Sequence, residues 1–459
     1  MQRIKVLLVN LYELGRQPAG LAGPAAWLRR AGHEVICLDL SLEKVGDRAL
    51  ADVTLVALSI PMYTATRLAV EVLPRLRAAA PAAHFCAYGL YAPLNATFLR
   101  GLGIEAVLGG DCEQALVELA DMIARTRTMA QPDPPVRYLK HGHLVPDRTT
   151  LLPLTRYAHL KIGAERRTVG FVDASRGCKH LCRHCPVVPI YEGRFSVVPV
   201  DLVLADIRAQ VQAGARHISF GDPDFFNGPA HAERIVRAFH AEFPEVTYDA
   251  TIKIEHLVRE SARLPVLKET GCLFVTSAVE SVDDDVLARL DKGHTRAGFE
   301  HAVALMRAAG IDLAPTFVPF TPWTTPAGYL TLLHTLDTLG LVESVPPVQL
   351  AIRLLIPEGS RLLSLPGFRA RLKPFDPALL GYPWNHEDPS VDALQQQVQR
   401  LAATDVPRAM VFAEIWRIAH EAAGVPIPDR QHEPQPEGPR LSEPWYCCAE
   451  PVTSGRSTF

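Results

Sequence analysis

Long apolar runs are missing from this 459-residue chain. No stretch approaches the ~20 residues needed to span a bilayer, so the pattern predicts no membrane partner. Cysteine is sparse: nine residues over this length are too few for a disulfide framework. They read as reduced thiols of a cytoplasmic protein, available for metal binding or catalysis. An excess of one charge is missing too. Forty-seven Lys and Arg stand against 50 Asp and Glu, leaving a net charge of −3 and a pI near 6.6. With no long basic run, nucleic acid is not an expected partner. The opening MQRIKVLLVNLYELG has an apolar run of only about five residues and no small-residue cleavage site. It reads as a first buried strand and not as a signal peptide.

What the chain does have is length for two or three domains and a rhythm of strands and helices. In residues 1–125, IKVLLVN (4–10), HEVICLDL (33–40), DVTLVALS (52–59), AHFCAYG (83–89) and AVLGG (106–110) predict strands. Residues 23–31, 64–80 and 112–124 predict helices between them. This α/β alternation makes a small doubly wound, Rossmann-like domain with its ligand edge at the carboxyl ends of the strands. Residues 126–165, rich in Pro, Arg and Thr, read as a linker. Residues 166–365 hold a second series, with strands predicted at 168–175, 217–222, 247–253, 272–281, 312–320 and 348–355. Six βα repeats are too few for a closed eight-stranded barrel and predict a partial one. Asp222, Lys253, Glu280 and Arg353 stand at its strand ends, where such barrels carry their chemistry. Residues 366–459 predict a mostly helical region, with helices at 391–403 and 408–424, a Pro-rich polar segment at 425–444, and WYCCAEP at 445–451. Trp384 and His386, in PWNHEDP, are placed as residues that help close the pocket.

The loop RGCKHLCRHCP (176–186) carries Cys178, Cys182 and Cys185 as C-x3-C-x2-C. Three soft thiolates on one loop suit iron–sulfur or zinc. Either centre takes four ligands, and no fourth cysteine lies nearby. A zinc loop and free thiols are the plain alternatives. Placed after the first strand of a six-fold βα series, the motif resembles that of the radical SAM superfamily. The resemblance implies a [4Fe–4S] cluster on Cys178, Cys182 and Cys185, with S-adenosylmethionine (SAM) as the remaining ligand. It implies reductive cleavage of SAM to a 5′-deoxyadenosyl radical, with electrons from a flavodoxin- or ferredoxin-type donor. An open position is what a catalytic metal site needs. The same resemblance assigns SAM contacts: His184 beside the adenine, Gly221 for close backbone approach, and Asp222 or Asp224 for the methionyl ammonium. Lys253 ends the third strand, Glu280 and Ser281 meet ribose or carboxylate, and Arg353 comes from the sixth strand. Each of these residues, taken singly, also reads as a helix cap or an ion pair.

The first domain resembles the cobalamin-binding domains that precede many radical SAM domains. Where histidine-ligating cobalamin domains carry D-x-H-x-x-G, this chain has NLYELG, with Asn10, Tyr12 and Gly15 in the three slots. Tyrosine, with a pKa near 10, is a poor cobalt ligand at neutral pH. The resemblance therefore implies cobalamin without a histidine below cobalt. Ser59, Gly89, Gly109 and Gly110 are assigned to the remaining cobalamin-facing loops, the glycines giving room for a flat ring. A domain that kept the fold and lost the cofactor is the plain alternative. Cys37, Cys86 and Cys112 read as small core residues.

The ending WYCCAEP resembles the tail of the radical SAM family defined by a CUAEP or CCAEP ending, where U is selenocysteine. This implies reactive thiols at Cys447, in the selenocysteine slot, and Cys448. A disulfide between neighbours would be strained, since adjacent Cα atoms stand about 3.8 Å apart. The expectation is a cobalamin-dependent radical SAM enzyme that methylates a small molecule or peptide. Its first rival is a non-methyl radical outcome in which the cysteine pair acts as a thiol, redox or soft-element (arsenic or selenium) site. A non-catalytic cobalamin or iron–sulfur sensor is the second.

Overall fold

The computed structural model describes residues 3–47, 49–132, 135–138, 142–404, 406–428 and 437–443. The first part of the chain runs β1 (Lys5–Asn10), α1 (Ala19–Arg30), β2 (Glu34–Asp39), β3 (Leu55–Ser59), α2 (Tyr63–Ala79), β4 (His84–Tyr88), α3 (Ala96–Gly101), β5 (Ala106–Gly110), α4 (Glu113–Thr126) and β6 (Val136–Arg137). The sheet is parallel, in the order β2-β1-β3-β4-β5-β6. Helices cover both faces, so its inner strands are apolar on both sides and read as continuous hydrophobic runs. Leu21 and Leu28 of α1 join Leu116, Leu119 and Ile123 of α4 on one face. Val72 and Leu76 of α2 pack on the other.

The segment expected to be a linker is structural. Val136 and Arg137 extend the first sheet beside Gly109 and Gly110. Arg148 forms a buried pair with Asp206 at 2.8 Å. Residues 159–162 form β7 (His159–Ile162), which pairs antiparallel with β8 (Glu165–Val172). Composition could not show this, because a two-residue or edge strand is set by its partner more than by its own sequence.

The second part continues with β9 (Ser175–Gly177), α5 (Val188–Tyr191), β10 (Phe195–Val197), α6 (Val200–Gln212), β11 (His217–Phe220), α7 (Pro229–Glu242), β12 (Thr247–Thr251), α8 (Ile254–Arg259), α9 (Leu264–Glu269), β13 (Cys272–Glu280), α10 (Asp284–Leu290), α11 (Arg296–Ala309), β14 (Asp312–Phe317) and α12 (Pro326–Thr338). Strands β8, β11, β12, β13 and β14 form a curled parallel half-barrel. Side-chain caps start three of its helices: Asp283 accepts from the backbone of Asp285 and Val286 at α10, and Thr295 and Thr325 cap α11 and α12. The expected sixth strand is reduced to one parallel bridge between Phe320 and Arg353. Pro346 and Pro347 stand just before it, and residues 347–350 form a short 3₁₀ turn; proline has no N–H to give a ladder.

Helices α13 (Pro389–Ala402) and α14 (Arg408–Ala423) close the half-barrel core with Leu394, Val398, Phe412 and Ile415. The last strand, β15 (Arg440–Leu441), pairs antiparallel with β7 and ends the seven-stranded sheet. The two sheets are knit together: Ile190, Leu355 and Leu380 pack into the first sheet's core, and the Tyr157 hydroxyl donates to Asp39 at 2.8 Å. Among the described residues, no helix is long and apolar enough to cross a membrane.

Candidate functional site

The three motif cysteines lie on the loop between β9 and α5. Gly177 starts it with φ +76°, and a side chain there would strike Arg194 and Tyr191. Cys178 and Cys182 are buried and Cys185 is half-buried. Asn227 Nδ2 donates to Cys178 Sγ at 3.5 Å, and Lys253 Nζ stands 3.8 Å from Cys182 Sγ. Burial pushes Cys178 up to about 12, against the pull of the Asn227 hydrogen bond. It also raises Cys182, opposed by the charges of Lys292 and Lys253. Thiolates here need a positive charge beside them, which bound metal supplies. The other described cysteines, Cys37, Cys86, Cys112 and Cys272, sit in hydrophobic cores. The loop therefore offers three thiols and, among the described residues, no fourth, which fits a cluster with one position left open. Cys447 and Cys448 lie outside the described residues.

The turn after β11 carries Gly221, Asp222 and Asp224. A Cβ on Gly221 would overlap the Phe171 ring and Asp173. Asp222 is fully engaged: it accepts from Ala174 N at 3.0 Å and from the Ser175 hydroxyl, and burial pushes its carboxyl up to about 7. Asp224 accepts through Oδ1 from Phe226 N at 3.2 Å and Lys253 N at 3.3 Å. Its Oδ2 lies 2.6 Å from His256 Nδ1 and 3.2 Å from His180 Nε2. Burial would raise Asp224, but the two imidazoles hold it down at about 2. Asp222 is thus committed to protein donors, whereas Asp224 keeps Oδ2 without a partner in hydrogen-bond geometry.

Glu280 ends β13 with φ +69°, a strained backbone for a residue that is not glycine. Its carboxylate meets His184 Nε2 at 3.0 Å and Lys292 Nζ at 3.3 Å, all three side chains buried. Burial opposes ionisation, and the Lys292 charge with the His184 bond overrides it, holding Glu280 at about 2. His184, expected beside an adenine, is turned on Glu280. Ser281 accepts from Asp283 N at 3.0 Å and serves the turn before α10. Arg353 is drawn away: it pairs with Asp392 at 2.6 Å and stacks 3.6 Å over Trp384. Trp384 lies buried beneath it, its indole donating to Leu354 O at 2.9 Å. His386, half-buried, bonds to Asp388 of its own loop.

Buried polar atoms without hydrogen-bond partners remain on the cysteine loop and on strands β13 and β14: His184 Nδ1, Ser277 Oγ and Thr316 Oγ1. Buried polar groups are normally satisfied. This set fits a polar ligand above the carboxyl edge of the half-barrel, as SAM would be. The sequence reading missed Asn227, His180, His256, Lys292 and His294. The signal was present: His180 lies within the cysteine loop, and Lys292 and His294 lie in DKGHT beside the Glu280 motif.

The first sheet's loops look different. Asn10 Nδ2 donates to Asp39 Oδ1 at 2.8 Å, and the Tyr12 hydroxyl donates to Glu443 Oε1 at 2.5 Å. Gly15 faces the same Glu443, and Ser59 is buried against Gly20. The room beside Gly89, Gly109 and Gly110 is taken by Ile60 backbone, Pro93 and Arg137 backbone. A Cβ at any of these three glycines would meet those neighbours, so each permits close packing within the chain at that point. The loop after β1 carries Tyr12 where histidine-ligating cobalamin domains carry histidine. Arg176, two residues before Cys178, bridges the two sheets by lying 3.2 Å from Glu113 and 3.7 Å from Asp111.

Residues 172–323 match the Radical SAM superfamily. They carry a radical SAM domain, whose cofactors are a [4Fe–4S] cluster and SAM. Among solved structures, the chain is similar to the cobalamin-dependent SAM radical enzyme OxsB with aqua-cobalamin and SAM bound. That likeness has a TM-score of 0.69 at 14% identity, covering 92% of this chain and 72% of that one. It is also similar to the radical SAM methyltransferase TsrM from Kitasatospora setae, with a TM-score of 0.56 at 18% identity over 73% and 71% of the two chains. Among curated proteins it is 28% identical to a tRNA-2-methylthio-N(6)-dimethylallyladenosine synthase of Chlorobium phaeobacteroides, over 32% of this chain and 35% of that enzyme. It is 21% identical to the hopanoid C-3 methylase of Methylococcus capsulatus, over 67% and 62%. The chain spans little more than a third of the curated relative named first.

Proposed function

We propose that the protein is a cobalamin-dependent radical SAM enzyme that methylates an unactivated centre in a small molecule or peptide. The observation that carries this is the loop of three thiols with no fourth among the described residues, set at the start of the half-barrel. The likeness of fold to two cobalamin-bound or methyl-transferring enzymes supports the corrinoid half of the reading. When bound, the cluster supplies one electron to SAM and the corrinoid supplies methyl-transfer chemistry. The chain's own part is to hold and shield. Cys178, Cys182 and Cys185 would hold the cluster, with Asn227 and Lys253 beside their sulfurs. Glu280, fixed by Lys292 and His184, holds a buried charged group beside the cysteine loop. The net charge of −3 argues against a polyanionic substrate such as tRNA, although one matched relative is named for tRNA.

The test is anaerobic turnover of the reconstituted protein with reductant, SAM and cobalamin, followed by mass spectrometry. S-Adenosylhomocysteine together with 5′-deoxyadenosine, the former only with cobalamin, supports methylation. Neither product from cluster-replete protein overturns the reading in favour of a sensor.

A second reading keeps the radical chemistry and replaces methylation by a thiol, redox or soft-element role for Cys447 and Cys448. It is favoured by one observation: Glu443, four residues before Cys447, is fixed on Tyr12 in the loop after β1. Under this reading 5′-deoxyadenosine forms alone, and Cys447→Ser stops product formation with full iron content.

A further inference from the structure

His180, Asp224 and His256 come from three separate places: the cysteine loop, the turn after β11, and α8. One ligand atom from each lies within 4.8 Å of the others. Asp224 is 0% exposed and His256 3%. Asp224 Oδ2 sits 2.6 Å from His256 Nδ1 and 3.2 Å from His180 Nε2. These are short contacts, yet none of the three atoms has a partner in hydrogen-bond geometry. Two ring nitrogens and a carboxylate oxygen this close need a positive charge among them, either a proton on an imidazole or a bound cation.

The surroundings prepare each ligand. Asp224 Oδ1 is occupied by two backbone N–H groups, which fixes the carboxylate and leaves Oδ2 to point inward. His180 Nδ1 faces Glu255 Oε2 at 3.7 Å, and a carboxylate on that side favours the tautomer whose Nε2 lone pair is free. Glu255 is in turn 3.5 Å from Lys253 Nζ. Imidazole and carboxylate donors suit zinc or ferrous iron, at about 2.0–2.2 Å for zinc.

We propose that His180, Asp224 and His256 form a second metal site, for one divalent transition ion of the zinc or ferrous type, separate from the cluster thiols. An ion there staples the cysteine loop to the end of β11 and the start of α8. It also sets a fixed positive charge beside the cluster, without using any of its ligands.

Zinc is the probe, since iron bound there would be counted with the cluster. Reconstituted, cluster-loaded protein is equilibrated with zinc, freed of excess by gel filtration, and assayed for both metals. About one zinc should be retained beside a full complement of iron. His256→Gln should lose that zinc and keep its iron; unchanged zinc in this variant overturns the proposal. Should the variant lose iron as well, anomalous scattering at the zinc edge from wild-type crystals decides. A peak among the three ligand atoms upholds the site. No peak there, or zinc on the cysteines alone, means a hydrogen-bonded His–Asp–His contact and overturns it.

Discussion

The two sheets end in carboxyl edges of opposite character. At the first sheet the chain fills much of the edge itself: glycine clearances are taken up by Ile60, Pro93 and Arg137, and Asn10 Nδ2 and Tyr12 are hydrogen-bonded to Asp39 and Glu443, while Asn10 Oδ1 and Glu113 Oε2 stay without hydrogen-bond partners. At the half-barrel the needs are left open, with three thiols, a Glu–Lys–His group and several polar atoms without partners. Satisfied groups stabilise, and unsatisfied buried ones cost free energy unless a ligand completes them. In the function proposed here, the cluster and SAM belong to the second edge and the corrinoid to the first.

Four substitutions probe that contrast. The largest effect is expected from Cys182→Ala, which removes one of the three thiols: iron and sulfide content should fall to background, and SAM cleavage with it. Retained cluster would break the assignment of the loop. Next comes Lys292→Met, which leaves buried Glu280 without its cation. Breaking a buried pair from one side costs roughly 3–5 kcal/mol, to be read by denaturant unfolding. Third is Gly110→Ala in the first sheet. At φ +66° and against the Arg137 carbonyl, it should cost about 1–3 kcal/mol and leave iron content unchanged. Unaltered stability with lost corrinoid binding would show instead that this glycine faces a ligand.

The smallest effect concerns pH. Removal from water and the negative charge of Asp173 push Glu13, in the loop after β1, up to about 7. A raised carboxyl contributes stability below its unfolded pKa of about 4.3, and that stability is lost as pH rises through about 7. Melting temperatures at pH 5 and pH 8 should therefore differ less in Glu13→Gln than in the wild type. An equal difference would show that Glu13 titrates normally.

Much of the fold is legible in the amino-acid sequence. Five first-sheet strands follow from continuous apolar runs between helical periods, and a three-thiol metal loop from the cysteine spacing, its reading as a cluster loop resting on the family resemblance. What escapes depends on pairing across the chain. Val136–Arg137 becomes a strand only because β5 offers an edge. Residues 348–355 are apolar enough for a strand, yet periodicity cannot weigh the two prolines ahead of them. The site partners are hidden for the same reason. That Arg353 turns to Asp392 and Trp384, or that His256 meets His180, is set by packing between elements far apart in sequence.

The β7–β15 pairing carries a consequence for how the chain is made. His159 N donates to Ser442 Oγ, a partner 283 residues later. During synthesis the half-barrel sheet can assemble through β14 long before that partner emerges, so β7 waits as an exposed edge. Unpaired edges template association with other chains, and non-local pairings form slowly. The two-residue β15 thus works as a late closure, and a ribosome-bound chain halted before Arg440 should be more prone to aggregate than the finished protein.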